Sequence, residues 1–183
     1  MKSITEIVAP IQLLKGTHAD TGQTGQGCFM NVIAYLNGEP QITDNSPCVC
    51  FVVKPIAIWL NDYLTPEERQ RLMPYIMRAM GSRSDDRAVF VPRAEAAARF
   101  ARKCSDIAQA SAESAASVAS AASTARAESA ASAAWAERAA SAERAARIAL
   151  IEAAFTFLDE ALPAASTATP AVVMRAETLA ALV

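Results

Sequence analysis

Ala112-Glu113-Ser114-Ala115-Ala116-Ser117-Val118-Ala119-Ser120-Ala121-Ala122-Ser123 is the middle of a stretch, from Ala108 to Ala136, built almost only of alanine and serine. Glu113, Arg126 and Glu128 are its sole charges, and Val118 and Trp135 its only large apolar residues. Alanine has the best intrinsic helix propensity, and no glycine or proline follows Pro92 until Pro163. Outward from the stretch, Glu95/Arg99, Arg102/Asp106 and Glu143/Arg147 stand four residues apart, the spacing at which side chains pair on a helix. The composition predicts helix over residues 91–162. Unbroken, it would extend roughly 100 Å, against a radius of gyration of about 16 Å for a compact chain of this size. Such a helix must fold back, near Ser120 to Ser132, or find a partner. Small side chains let helix backbones approach closely, so many weak dispersion contacts add up along a shared face. Self-association, or pairing with another helical protein, is therefore expected, with Ala119, Ala122, Ala130 and Trp135 as candidate interface residues. The bland alternative is a solvated helix held by propensity alone. Toward the C-terminal end Ile148, Ile151, Phe155, Leu158 and Leu162 restore an apolar seam, expected to pack on the rest of the chain.

Composition shifts near residue 90, from a mixed sequence to one dominated by Ala, Ser, Arg and Glu. The expected organisation is all-α: a small helical head over 1–90, the alanine-rich helix over 91–162, a linker over 163–170 bracketed by Pro163 and Pro170, and a short amphipathic tail helix over 171–183. Net charge is −2 and the isoelectric point ≈ 5.5, so nucleic acid is not an expected partner. No run of 18 strongly apolar residues suits a membrane span, and Glu6, Pro10 and Gln12 break any signal-peptide core, so a cytoplasmic protein is expected. Its four cysteines then read as reduced thiols.

In the head, Gly16 to Gly27 is polar and glycine-spaced, which predicts a mobile loop. It lacks the lysine and the spacing of phosphate-binding fingerprints. Phe29, Val32, Ile33 and Leu36 have helical spacing, with Gly38 placed as a left-handed cap. Cys48 to Leu64 is almost wholly apolar up to Trp59-Leu60, so it reads as core. Thr65-Pro66-Glu67-Glu68 is a capping box with proline at the first helical position. The helix it opens should bury Leu72, Met73, Ile76, Met77 and Met80, turn Arg69, Gln70 and Arg78 to water, and stop at Gly81.

Chemistry is sparse. His18 is the only histidine, and no cysteine sits in a setting that lowers a thiol pKa. No catalytic residue and no cofactor are assigned. A zinc or thiol alternative combines His18, Cys28, Cys48 and Cys50, three thiolates and an imidazole, the right number for a tetrahedral site. The one-residue spacing of Cys48 and Cys50 is shorter than usual, and buried cysteine packs as a small hydrophobe.

Gly27-Cys28-Phe29-Met30, Ala34-Tyr35-Leu36, Gly38-Glu39-Pro40, Pro47-Cys48-Val49-Cys50 and Trp59-Leu60-Asn61-Asp62 together resemble a family of uncharacterised bacterial and bacteriophage proteins. The resemblance spans roughly residues 27 to 84; in place of that family's tryptophan-serine-aspartate-histidine segment this chain has Gln41-Ile42-Thr43-Asp44-Asn45-Ser46, and Phe51 replaces a proline. It implies a bacterial or phage cytoplasmic setting and supplies no reaction. The leading expectation is a non-enzymatic helical oligomerisation or interaction protein. The alternative is a phage counter-defence type of protein that sequesters a small, nucleotide-like ligand through the glycine-rich loop, Tyr35, Arg83, Arg87 and Arg93.

Overall fold

A computed structural model describes residues 11–18, 20–124, 129–162, 175–178 and 181, with the side chains at 121–124, 129–133 and 135 left out of the description. The protein is mostly α-helical, as its composition demands, with two two-residue strands among the described residues. It divides into two compact units: Met1–Ala97 with Leu158–Val183, and Ala98–Phe157.

The first unit opens with β1 (Gln12–Leu13) running parallel to β2 (Gln26–Gly27), Gln12 opposite Gln26 and Leu13 opposite Gly27. The glycine-spaced segment between them, expected as a mobile loop, is folded. It makes one helical turn, α1 (Thr21–Thr24), closed by Gly25 at φ 70°. Thr21 is wholly buried and its hydroxyl donates to the His18 carbonyl at 2.7 Å. Gly27 permits this approach, because a Cβ there would collide with the Thr21 hydroxyl and lie 3.2 Å from Asn31 Cβ.

Helix α2 (Phe29–Asn37) buries Phe29, Met30, Val32, Ile33 and Leu36 and ends on Gly38 at φ 73°, following its spacing. In α3 (Val53–Tyr63) Pro55 lies in the first turn, where its missing N–H costs nothing. Only one face of α3 is core: Val53, Ala57 and Leu60 are fully buried, whereas Phe51 is 65 % exposed and Trp59 and Tyr63 37 % each. The expectation of a uniformly buried run is corrected there. Aromatic stacking limits the exposure, Phe51 on Phe90 at 5.0 Å and Trp59 on Tyr63 at 4.9 Å.

The capping box forms at Thr65 and opens α4 (Pro66–Arg69). The chain then passes through a 3₁₀ turn, Gln70–Leu72, before α5 (Met73–Ala79), not through the single helix expected. Pro74 explains the break, since it lacks an N–H and its ring crowds the carbonyl of residue 70. Leu72, Met73, Ile76 and Met77 are buried as their spacing predicts. Helix α6 (Arg87–Thr124) begins upstream of Pro92, because Asp86 Oδ1 accepts the Ala88 N–H at 2.8 Å and caps it there.

Arginines bind this unit together, against the expectation that they face water or a ligand. Arg69 is 5 % and Arg93 7 % exposed. The Arg69 guanidinium donates to the carbonyls of Asn61 (2.6 Å) and Leu64 (2.8 Å), at the end of α3, and to that of Leu13 in β1 (3.4 Å). At the end of α7 (Ser129–Ala161), Arg93 Nε donates to the Ala161 carbonyl at 2.9 Å while Nη1 donates to the Ser82 carbonyl. Arg78 reaches the Leu162 carbonyl at 2.5 Å and Asp159 Oδ1 at 2.7 Å. Arg175 donates to the Leu36 carbonyl, in the last turn of α2, at 3.0 Å. A helix leaves its last four carbonyls unpaired at the negative end of its dipole, so a cation there is doubly favoured. Residues 175–178 are helical and Ala176 is wholly buried. The expected linker, 163–170, and Val172, Val173, Leu179, Leu182 and Val183 lie outside the described residues.

The second unit is a helical hairpin of α6 and α7. The Phe100 and Phe157 rings are 5.7 Å apart, whereas one straight helix would separate them by roughly 85 Å. Phe100, Cys104, Ile107, Ser111, Ser114 and Val118 are half-buried along α6, alternating three and four residues apart. On α7 the matching stripe is Ala140, Arg147 and Leu150, half-buried, passing into buried Ile151, Ala154 and Phe157. Ile148, assigned to the seam from its spacing, stands 58 % exposed on another face.

Candidate functional site

Few of the candidate ligand-contact residues are free to act. Arg93 is committed to two backbone carbonyls. Tyr35 is half-buried and packs against the folded glycine segment, where a Cβ on Gly22 would lie 2.7 Å from its ring. Arg83 and Arg87 are exposed, Arg83 donating its backbone N–H to the Cys48 carbonyl at 2.9 Å. No geometry unites the four into one site.

The metal candidates are likewise distributed. His18 Nε2 donates to the Lys15 carbonyl at 2.9 Å, and its backbone N–H donates to Asn31 Oδ1 at 2.7 Å. Cys28 is the N-cap of α2, its sulfur accepting the Asn31 N–H at 3.4 Å. Burial pushes its thiol above the ordinary value, and the negative charges of Asp44 and Asp62 add to the rise, against two backbone N–H groups that oppose it. Cys48 meets the Ser46 hydroxyl at 3.1 Å; since that hydroxyl gives its one proton to Glu39, the thiol is the donor. Cys50 is buried, its N–H donating to Ser82 Oγ at 2.9 Å. Among the described residues, no three His, Cys, Asp or Glu side chains are gathered as a metal would need. The cavity beside Cys28, lined by Thr17, Asp44, Asn61 and Asp62 among others, measures ≈ 30 Å³. That admits a water molecule, not a nucleotide.

Asn61, quoted in the sequence only as part of the Trp59-Leu60-Asn61-Asp62 motif and given no role there, organises this region. Its Oδ1 accepts the Phe29 N–H at 3.2 Å, its Nδ2 donates to the Leu14 carbonyl at 2.9 Å, and its own carbonyl receives Arg69. Glu39, Ser46 and Cys48 form a second internal network. The motif residues thus satisfy one another's hydrogen bonds, which a buried polar group requires. Asn31 Nδ2 is the exception, buried without a partner among the described residues.

Ala119 is exposed on α6; Ala122 and Ala130 lie in α6 and α7 and Trp135 in α7, their side chains outside the description. From residue 98 to 150 no described residue is fully buried. Compared with protein families, curated proteins and solved structures, the chain matches none. No described helix is long and apolar enough to cross a membrane.

Proposed function

We propose that the protein is a non-enzymatic helical interaction module that associates with itself through its alanine-rich hairpin. The observation that carries this reading is the hairpin's burial: two long helices whose seam, over residues 98–150, stays half-exposed. Helix stability in proteins comes chiefly from burying one face against other elements, and two alanine and serine faces bury little. Further helices laid on the hairpin would bury what it leaves open. Close approach of small residues would supply many dispersion contacts and keep the interface specific to partners with equally small faces.

The triple variant A119E/A122E/A130E puts carboxylates along the hairpin and should dissociate the assembly, read as a fall in mass by light scattering. An unchanged mass in the variant would overturn the proposal.

A further inference from the structure

We infer that α7 pairs antiparallel with α7 of a second copy across the face carrying Ala134, Glu137, Ser141, Arg144 and Ile148. This rests on the self-association proposed above and specifies its geometry. All five residues are exposed, and they lie on a face of α7 centred roughly 110° around the helix from the half-buried stripe of Ala140, Arg147 and Leu150.

Three features make the face complementary to itself. Ala134, Ser141 and Ile148 are seven residues apart and so form a single stripe, the repeat of helices that pack along their length. In an antiparallel pair centred near Ser141, Ser141 meets its own symmetry mate, and Ile148 meets Ala134 of the second copy. A large exposed side chain, 58 % accessible, is thereby set opposite the smallest one. Glu137 and Arg144 are also seven apart, along one flank of the stripe. About 10 Å of rise separates them, too far for pairing within one helix, where partners stand three or four residues apart. Among the described residues neither has a hydrogen-bond or ion-pair partner. A two-fold axis normal to the paired helices brings the same flank of both copies together, so Glu137 of each faces Arg144 of the other. This is the isologous contact of a closed dimer. Antiparallel packing also opposes the two helix dipoles. The stretch from residue 134 to 148 is about 21 Å long, which gives a contact smaller than the standard interface of about 1,600 Å². The dimer is accordingly concentration-dependent and salt-sensitive.

Reciprocal charge reversal tests the pairing in the full chain by sedimentation equilibrium at low salt. E137R and R144E each place like charges opposite one another twice and should weaken the dimer about tenfold. The double variant E137R/R144E restores both pairs in reversed sense and should return the dissociation constant to near the parent value. A parent protein that self-associates while neither single reversal weakens it would overturn this pairing and leave self-association standing. Two weakened single variants without rescue in the double variant would also overturn it. A parent that stays monomeric at every concentration would overturn both, leaving the face to a different helical protein.

Discussion

Removing the Arg69 guanidinium should unfold the first unit's interior from the end of α3. In R69M the apolar stem stays and the charged head goes, leaving the carbonyls of Asn61, Leu64 and Leu13 bare in a site 5 % exposed. Hydrogen bonds from a charged donor contribute about 1.5–3 kcal/mol each. Counting the contacts at 2.6 and 2.8 Å, and neglecting the long one at 3.4 Å, gives about 3–6 kcal/mol. Relief from burying a cation that faces no carboxylate offsets part of this, so a loss of about 3 kcal/mol is expected. The midpoint of thermal unfolding should fall by about 10 °C. Urea unfolding followed by Trp59 fluorescence, in a W135F background, reads the effect on α3 itself. R69K, which keeps the charge but not the planar fork, should lose about half as much. A loss in R69M below about 1 kcal/mol, within the range of an ordinary surface change, would refute the claim that the guanidinium caps α3.

Gly38 sits at φ 73°, and a Cβ there would come 2.5 Å from Arg175 Nη2. G38A should therefore cost about 1–2 kcal/mol and, by displacing Arg175, should speed hydrogen exchange at residues 175–178, which mass spectrometry resolves by peptide. Tyr75 donates to Asp159 Oδ1 at 3.0 Å; burial first, and then this bond and the Asp159 charge, raise its phenol above the usual value. A raised folded-state pKa favours the neutral form, so the contribution is complete below about pH 10 and is lost as pH rises through the folded-state value. The stability gap between the parent and Y75F, measured by urea titration, should thus be constant to about pH 10 and shrink above it; a gap that widens would contradict the assigned donor.

Local signals carried much of the fold. The spacing of Phe29, Val32, Ile33 and Leu36 with Gly38 behind them gives α2, and Thr65-Pro66-Glu67-Glu68 gives the start of α4, because both depend on neighbours in the chain. Pro74 was not weighed against the apolar spacing of Leu72, Ile76 and Met80, and it marks where the longer helix breaks. Arg69 and Arg93 were not legible: arginine is usually solvated, and only tertiary folding brings the carbonyl ends of α3 and α7 to them. Ile151, Phe155, Leu158 and Leu162 of the expected seam are buried, whereas Ile148, which shares their spacing, is exposed because Leu150, Ala154 and Phe157 widen the covered face on the other side. With alanine on every side of the helix, spacing alone sets the edges of that face only loosely. The glycine segment reads as a loop because its order comes from Thr21 and Asn31 meeting Gly27, a contact no periodicity encodes. Of the candidate site, composition revealed the hairpin's small faces, whereas the opposed charges of Glu137 and Arg144 acquire meaning only once the covered side of α7 is known.

The arginine contacts also set a timetable for the nascent chain. Arg78 waits for Leu162, 84 residues later, and Leu36 waits 139 residues for Arg175. At synthesis rates of about 5–20 residues per second, α2 stands roughly 7–28 s without the cation that closes it. The whole hairpin is made within that interval, since residues 98–157 separate the two parts of the first unit. Its contacts are the closer in sequence, and closure of short-range contacts is the faster process. The alanine-rich hairpin is therefore positioned to form while the unit that flanks it is still open on the ribosome.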